Sequence, residues 1–545
     1  MNKKIVFIIP MLVAMLPALG SCGKKETSQD DPTKANLYIQ TLNKGIGMKW
    51  LQNAAKEFEE LYAESTDFQK GRTGVKIHVQ GDTLTDGDYI RKSVLNKDIY
   101  FTEQIEYRYL VNSKKFLDIT DVLTSDLSEY GDAEGRTILS KLDPTMENYL
   151  NVDNKYYAVP FYDSFYGLVY DVTLWKEKKL YLSTDPDDRF VRYGDESMTL
   201  GPDNIAGTPD DGLPATYEEF ALLLKELDDR GITPFITAQN AKEYMADYLY
   251  NVVADYEGVD NMVLNLTLDG TATDLIKSVD NDGNITYEED PVTITQSNGY
   301  RLTRQPGKYY ALSFLKNVLM KKSSYYRLVD KHTNAQMQFV QKNVSGGRPN
   351  VAMILEGSWW ENEAASAIAK EEARTGKRDY AIMPIPFATS EKAAASGYQH
   401  TYLSLSQSFG IVSAKTRNQK LAKEFMRFLH SDKMLSKFTA DTSITRPLNY
   451  EVSEEDQANL SSYAKSLIYL KKNSTIVYPY SSQPLEVKYA TYFKHHNFVW
   501  KAKVDNTPYG HPWDYFLSSN PGVKTVKKYF DGQYAFFSDI WKNLK

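Results

Sequence analysis

Cysteine is nearly absent: Cys22 is the only one in 545 residues. No intrachain disulfide can form, so packing and hydrogen bonds must hold the fold together. Histidine is also scarce, with seven copies. His495 and His496 are sequence neighbours whose side chains point apart on a helix or a strand, which makes a poor metal pair. No long basic run occurs, and 64 Lys and Arg face 71 Asp and Glu, a net charge of -7. That balance argues against a nucleic-acid partner, since phosphate binding needs clustered Lys and Arg. The motifs G-x-S-x-G, H-E-x-x-H and G-x-x-x-x-G-K-[ST] are all missing. Carboxylates are plentiful, but sequence spacing does not pick out a glycosidase pair. Nothing in the chain signals covalent chemistry.

One apolar run opens the chain. In MNKKIVFIIPMLVAMLPALGSC two lysines precede an apolar stretch from Ile5 to Leu19. The stretch holds two prolines and lacks a stop-transfer flank, so it reads as a secretory signal rather than a membrane span. Leu19-Gly20-Ser21-Cys22 resembles the bacterial lipobox, in which the cysteine becomes the lipid-bearing first residue. On that reading residues 1–21 are removed and Cys22 is the lipid attachment site. The protein is then anchored on the outer face of the cytoplasmic membrane, extracellular or periplasmic. A soluble secreted protein cut nearby is the alternative. Residues 22–36 are polar, lack aromatics and read as a flexible tether.

The remainder is globular by composition, with 42% hydrophobic and 25% charged residues, and too long for one ordinary domain. LYIQTL at 37–42 alternates as a strand, and GIGMKWLQNAAKEFEELY follows as a helix with Trp50, Leu51, Ala54, Phe58 and Leu61 on one face. VKIHVQ at 75–80 is the next strand and KDIYFTE at 97–103 another. This alternation predicts βαβ units around a parallel sheet. Ligands of such sheets sit beyond the carboxyl ends of strands, which makes Glu103 and Gln104 candidate site residues. TYEEFALLLKELDDRG at 216–231 predicts a helix with a Thr216/Glu219 capping box and a left-handed stop at Gly231. A further helix is predicted over 418–429, with Leu421, Phe425, Phe428 and Leu429 inward.

Long polar stretches interrupt this pattern. Residues 183–214 are rich in Asp, Gly and Pro; residues 255–310 are also polar, with a tight turn at DNDG 280–283. Within GPDNIAGTPDDG at 201–212, Asp203, Asn204, Asp210 and Asp211 offer hard oxygen ligands, with glycines for turns. A structural calcium ion is one reading, although the spacing is not that of an EF-hand. A solvated Asp/Gly loop is the other.

Aromatics are 13% of the chain and Tyr alone numbers 40. Such residues suit partly apolar, hydroxyl-rich ligands, and equally suit half-buried packing. Two segments concentrate the question. In KYYAVPFYDSFYGLVYD at 155–171, Asp163 and Ser164 interrupt an aromatic strand that has no need of them for packing. In VAMILEGSWWENEA at 351–364, a buried strand runs into Glu356, Gly357, Ser358 and two tryptophans. Ser358 and Glu361 have capping-box spacing, so a helix is expected to begin here. Trp359 and Trp360 then point roughly 100° apart in its first turn, and one can pack inward while the other faces a cleft.

Six segments in order resemble the solute-binding protein family that includes maltose-binding protein. They are GIGMKWL, KDIYFTE, YYAVPFYDSFYGLVYD, TYEEFALLLKELDDRGITPF, VAMILEGSWW and FGIVSAKTRNQKLAKEFMRFLHSD. The resemblance implies a two-lobe α/β periplasmic-binding-protein fold, type II-like, with a ligand cleft between lobes. It implies a lobe built from 37–160 plus 400–440 and another from 165–385 plus 445–545, crossed near 160–165, 385–405 and 440–447. It implies capture of an extracellular carbohydrate for an ABC transporter permease, as a monomer, with no catalysis and no required cofactor. Matched positions for ligand contact are Trp359, with Trp360 and Glu356 beside it. Tyr162, Asp163 and Ser164 match in the crossing, and Asn43, Lys44, Glu103 and Gln104 in the first loops. Tyr244 and Tyr248 follow TPF, and Arg446 lies in the last crossing. Departures are the insertions at 183–214 and 255–345 and the long tail after 450. A starch-utilisation (SusD-like) glycan-binding lipoprotein and a lipoprotein glycoside hydrolase are the other classes; the first should be mostly helical.

Overall fold

A computed structural model of the chain describes residues 30–82, 87–341, 350–405, 408–493, 497–520 and 522–544. The signal segment, Cys22, most of the tether, His495 and His496 lie outside the described residues.

Two five-stranded sheets organise the chain. In the first, Ala35–Leu42 pairs in parallel with Val75–Asp82 on one side and Ile99–Thr102 on the other. Phe409–Val412 then joins antiparallel, between Ile99–Thr102 and Ala158–Pro160. In the second, Thr233–Ala238 lies parallel to both Tyr326–Val329 and Val351–Gly357. Tyr166–Asp171 runs antiparallel to Val351–Gly357 and to Tyr380–Met383. The inner strands Ile99–Thr102 and Val351–Gly357 are buried on both faces and are accordingly near-continuous apolar runs. Each has its own core. Trp50 meets Phe101 and Phe438 edge-on in the first, at 5.2 and 5.0 Å. The second gathers around Trp360 and the apolar face of the helix Tyr217–Asp229.

Local expectations are met where the decisive contacts are local. Thr216 Oγ1 accepts the Glu219 N–H, and Glu219 Oε2 accepts the Ala215 N–H. Gly231 ends that helix at φ +69°. The helix Gln419–Phe428 is capped by Asn418 and buries Leu421, Phe425 and Phe428. The 280–283 turn joins Ile276–Val279 to Ile285–Tyr287 as a hairpin. Leu61, expected inward, is 57% exposed in the last turn of Lys49–Leu61.

Lobe boundaries differ from those expected. Strand His400–Leu403 pairs in parallel with Ser474–Val477, and Tyr402, Leu403 and Leu405 pack in the second core. The chain rejoins the first sheet only at Phe409. At the last crossing, Ile444 and Leu448 still pack in the first core. Side-chain burial, invisible in segment order, sets these limits. The insertions are also more than solvated loops. Val526–Trp541, in the tail, covers the hairpins of the 255–345 insertion, placing Phe537 and Trp541 against Leu268, Ile294 and Leu302.

Candidate functional site

Between the lobes lies a cavity of about 1380 Å³, its solvent mouth included. First-lobe loops bring Lys44, Gly45, Glu103 and Gln104 to it, and the crossing brings Tyr162 and Ser164. The second lobe brings Tyr166 and Trp359 from the ends of neighbouring strands. Glu243, Tyr244 and Asp247 come from one turn of the helix Lys242–Thr267. Loops beyond strand ends converge here because the sheet ends present free backbone groups and room for side chains.

Three rings form one wall. The Trp359 indole meets Tyr166 edge-on at 5.2 Å and Tyr244 at 5.8 Å, and Tyr166 meets Tyr244 at 5.4 Å. Trp359 folds back over Gly357: a Cβ added there would lie 2.4 Å from indole Cη2. The glycine before Ser358 is therefore required by the ring's position. Carboxylates face this wall. Glu103 Oε1 accepts from Tyr162 OH at 2.5 Å, and its Oε2 lies 3.8 Å from Lys44 Nζ. Glu363 Oε1 accepts the Gly45 N–H at 3.2 Å, joining the lobes, while Oε2 accepts from Gln336 at 3.1 Å. Burial holds the Tyr162 and Tyr166 phenols well above their ordinary range, with Glu103 adding to the shift at Tyr162 and Asp247 at Tyr166. Both stay protonated and able to donate. Among the described residues lining the cavity, Glu103, Glu243, Asp247 and Glu363 face one lysine, Lys44, and His332. The site thus offers ring faces, phenol donors and carboxylate acceptors, and little that would hold an anion.

Several expected residues are elsewhere. Trp360 is fully buried among Phe339, Tyr380 and Tyr463, because the second core needs the inward ring of the pair. Tyr248 is 1% exposed and packs near Phe314, one turn below Tyr244, where the helix is covered all round. Arg446 is buried in the first lobe, its guanidinium over Phe438 and Trp50 and bonded to His430 Nε2 at 2.9 Å. Burial brings it down to about 9. Glu356 sits beneath the cavity, bonded to Gln336 and held well above the carboxylate range by burial and then by the charge of Glu363. Asn43 is exposed and outside the cavity lining.

Asp163 has a different part. It is fully buried. Its Oδ1 accepts from Ser404, and its Oδ2 from Thr445 and Lys471 at 2.7 and 2.8 Å. Its backbone carbonyl accepts from Ser358 Oγ. Ser358 therefore holds the crossing and does not cap the helix Trp360–Thr375, which begins without a side-chain cap. Glu361 instead accepts from Ser443 and Ser461. A tertiary partner outcompetes the local capping box in both cases.

Tyr166, Glu243, Asp247, His332, Glu363 and Leu405 line the cavity without having been singled out from the sequence. Glu243 and Asp247 were legible as helical neighbours of Tyr244, and Glu363 as one turn after Trp359. His332 and Leu405 carry no sequence signal.

In the 201–212 loop, Asp203, Asp210 and Asp211 converge on Thr208 Oγ1, within 3.3, 2.6 and 3.3 Å. Asp210 Oδ2 also accepts the Asp203 N–H, and Asp211 Oδ2 the Gly207 N–H. Among the described residues, no group of three or more His, Cys, Asp or Glu is arranged to hold a metal ion.

A model of the bacterial extracellular solute-binding protein family matches residues 46–434. The chain belongs to that family. Solved structures show the same fold in this solute-binding protein. The apo form of RafE from Streptococcus pneumoniae superposes at TM-score 0.54 and 16% identity, over 94% of this chain and 100% of that one. RafE in complex with raffinose gives 0.53 and 15%, over 93% and 100%. The GacH receptor of Streptomyces glaucescens, studied unliganded and with acarbose, gives 0.51 and 14%, over 94% and 100%. No curated protein sequence matches the chain. Among the described residues, no helix is long and apolar enough to cross a membrane.

Proposed function

We propose that the inter-lobe cleft captures an extracellular oligosaccharide and presents it to an ABC transporter permease. The carrying observation is the facing of the Trp359, Tyr166 and Tyr244 rings by Glu103, Glu243, Asp247 and Glu363. A sugar ring offers a C–H face to aromatics and hydroxyls to carboxylates and phenols. Carbohydrate complexes of fold relatives, RafE with raffinose and GacH with acarbose, support the same class. No bond is broken in this reading, and no cofactor is required. Lipidation at Cys22 keeps the monomer at the membrane beside its permease.

A thermal-shift screen of the mature chain against mono- and oligosaccharides tests the proposal, since a ligand bound only to the folded state raises the melting temperature. A rise with one glycan class, and no release of product from it, is the expected result. Hydrolysis of the glycan would replace capture with a hydrolase. Silence across the panel in ligand-free protein would overturn the sugar reading. For the anchor, Cys22→Ser should move the protein from the membrane to the soluble fraction of cells.

A further inference from the structure

A second cavity lies in the second lobe and shares no lining residue with the cleft. It encloses about 1150 Å³, mouth included. Its floor is Tyr170, Ile382 and Tyr402 from the lobe's interior; Tyr181 and Leu213 come from the stem and end of the 183–214 insertion. The tail helix Ser462–Lys472 closes the other side, and Tyr469 donates to Asp203 of the insertion across it. The walls therefore come largely from two of the three segments in which this chain departs from its family's pattern.

Ser462, Ser466, Tyr469 and Asn473 of this cavity are bonded within the protein, whereas two of its phenols are not. Tyr170 and Tyr181 are 4% and 2% exposed. Their rings are packed, yet among the described residues their hydroxyls meet no hydrogen-bond partner, only neighbouring rings and charges. His400 lines the same space. Its Nδ1 lies 2.8 Å from Asp255 Oδ1. A carboxylate only accepts, so Nδ1 carries a proton. That buried Nε2 has no partner. Two phenol donors thus line a mostly apolar space. Lys176 and Lys465 balance Asp203 and Asp210 around it, which disfavours a charged guest.

We propose that this cavity is a second binding site for a neutral, hydroxylated six-membered ring with one apolar face. A monosaccharide ring and a simple phenol share that chemistry. Ligand hydroxyls would accept from Tyr170 and Tyr181, and the apolar face would lie on Ile382 and Leu213. The proposal stands independently of the cleft and its ligand.

Calorimetric titration with methyl β-D-glucoside and, separately, p-cresol tests it at millimolar probe. Proteins compared are wild type, Tyr170→Phe/Tyr181→Phe and Trp359→Ala. The Phe pair keeps both rings and should fold as wild type, checked by circular dichroism. One probe should bind wild type and Trp359→Ala alike, and about tenfold more weakly to the Phe pair, the loss of a hydrogen bond or two. The probe that binds names the source. If Trp359→Ala fails to fold, Glu243→Ala, an exposed position of the cleft, replaces it as the cleft control and should bind the probe as wild type does. Binding unchanged in the Phe pair, binding lost only with Trp359, or no binding of either probe would overturn the proposal.

Discussion

Trp359 and Trp360 are chemically identical neighbours with different surroundings. Trp360 is enclosed by three aromatic rings of the second core; Trp359 stands edge-on to two tyrosines of the cleft wall. Trp360→Ala should cost about 3–5 kcal/mol of stability, the usual range for a large aromatic cavity. Trp359→Ala should lose glycan affinity with a smaller stability loss, since its ring is at the cavity edge. Urea melts of both variants and glycan titration of Trp359→Ala decide this. Equal melting of the two would place Trp359 in the core. Buried acids give a second residue-level expectation. Burial pushes the Glu486 carboxyl from its ordinary 4.5 up to about 8. Between these values the folded protein keeps a proton that the unfolded chain releases. This contribution to stability is full below pH 4.5 and is lost as pH rises through 8. Glu257, raised to about 7, has the same sign; Lys308, lowered to about 7, has the opposite one. Glu486→Gln should flatten the fall in unfolding free energy across this window, read from denaturant titrations at its two ends.

At the scale of elements, the strand Val351–Gly357 delivers the cleft's aromatic wall, and its last residue decides the delivery. Gly357→Ala would put a methyl group 2.4 Å from the Trp359 ring. The indole must then move, so glycan affinity should fall at least as far as in a conservative Trp359→Phe variant, at a stability cost of about 1–3 kcal/mol. Unchanged affinity would mean that the ring's place is immaterial to binding. In the 201–212 loop each carboxylate already accepts from Thr208 or a loop N–H. Added calcium should therefore leave the melting temperature unchanged; a rise abolished by Asp210→Asn would instead give the loop a structural ion. Elements whose signals are local were readable in advance: the Thr216 cap, the Gly231 stop, the 280–283 turn. The Ser358/Glu361 capping box was misread because its motif is local while the actual partners, Asp163 and two distant serines, are not.

For the whole molecule, one buried carboxylate ties the lobes together. Asp163 holds the first crossing to Ser404 of the second, Thr445 of the third and Lys471 of the tail. Hinge closure around a ligand needs these strands to flex as a set. Asp163→Ala leaves the Lys471 ammonium without its carboxylate, and removing one partner of a buried ion pair costs about 3–5 kcal/mol. Small-angle scattering should show wild type contracting on binding glycan, and the variant, where folded, contracting less or starting more open. An identical response in both would remove Asp163 from the hinge. Much of this molecule was set by sequence alone: a disulfide-free α/β chain, alternating strands and helices, an aromatic-rich composition and no catalytic motif. Those features depend on composition and on contacts a few residues apart. Only the tertiary structure decided which tryptophan faces the cleft, that Asp163 and Arg446 are buried rather than ligand-facing, and where the chain changes lobes. It also decided that Tyr166, Glu363 and Asp247 meet there, and that insertion and tail enclose a second cavity. Each of these rests on which distant side chain fills a given space, and sequence spacing carries no record of that.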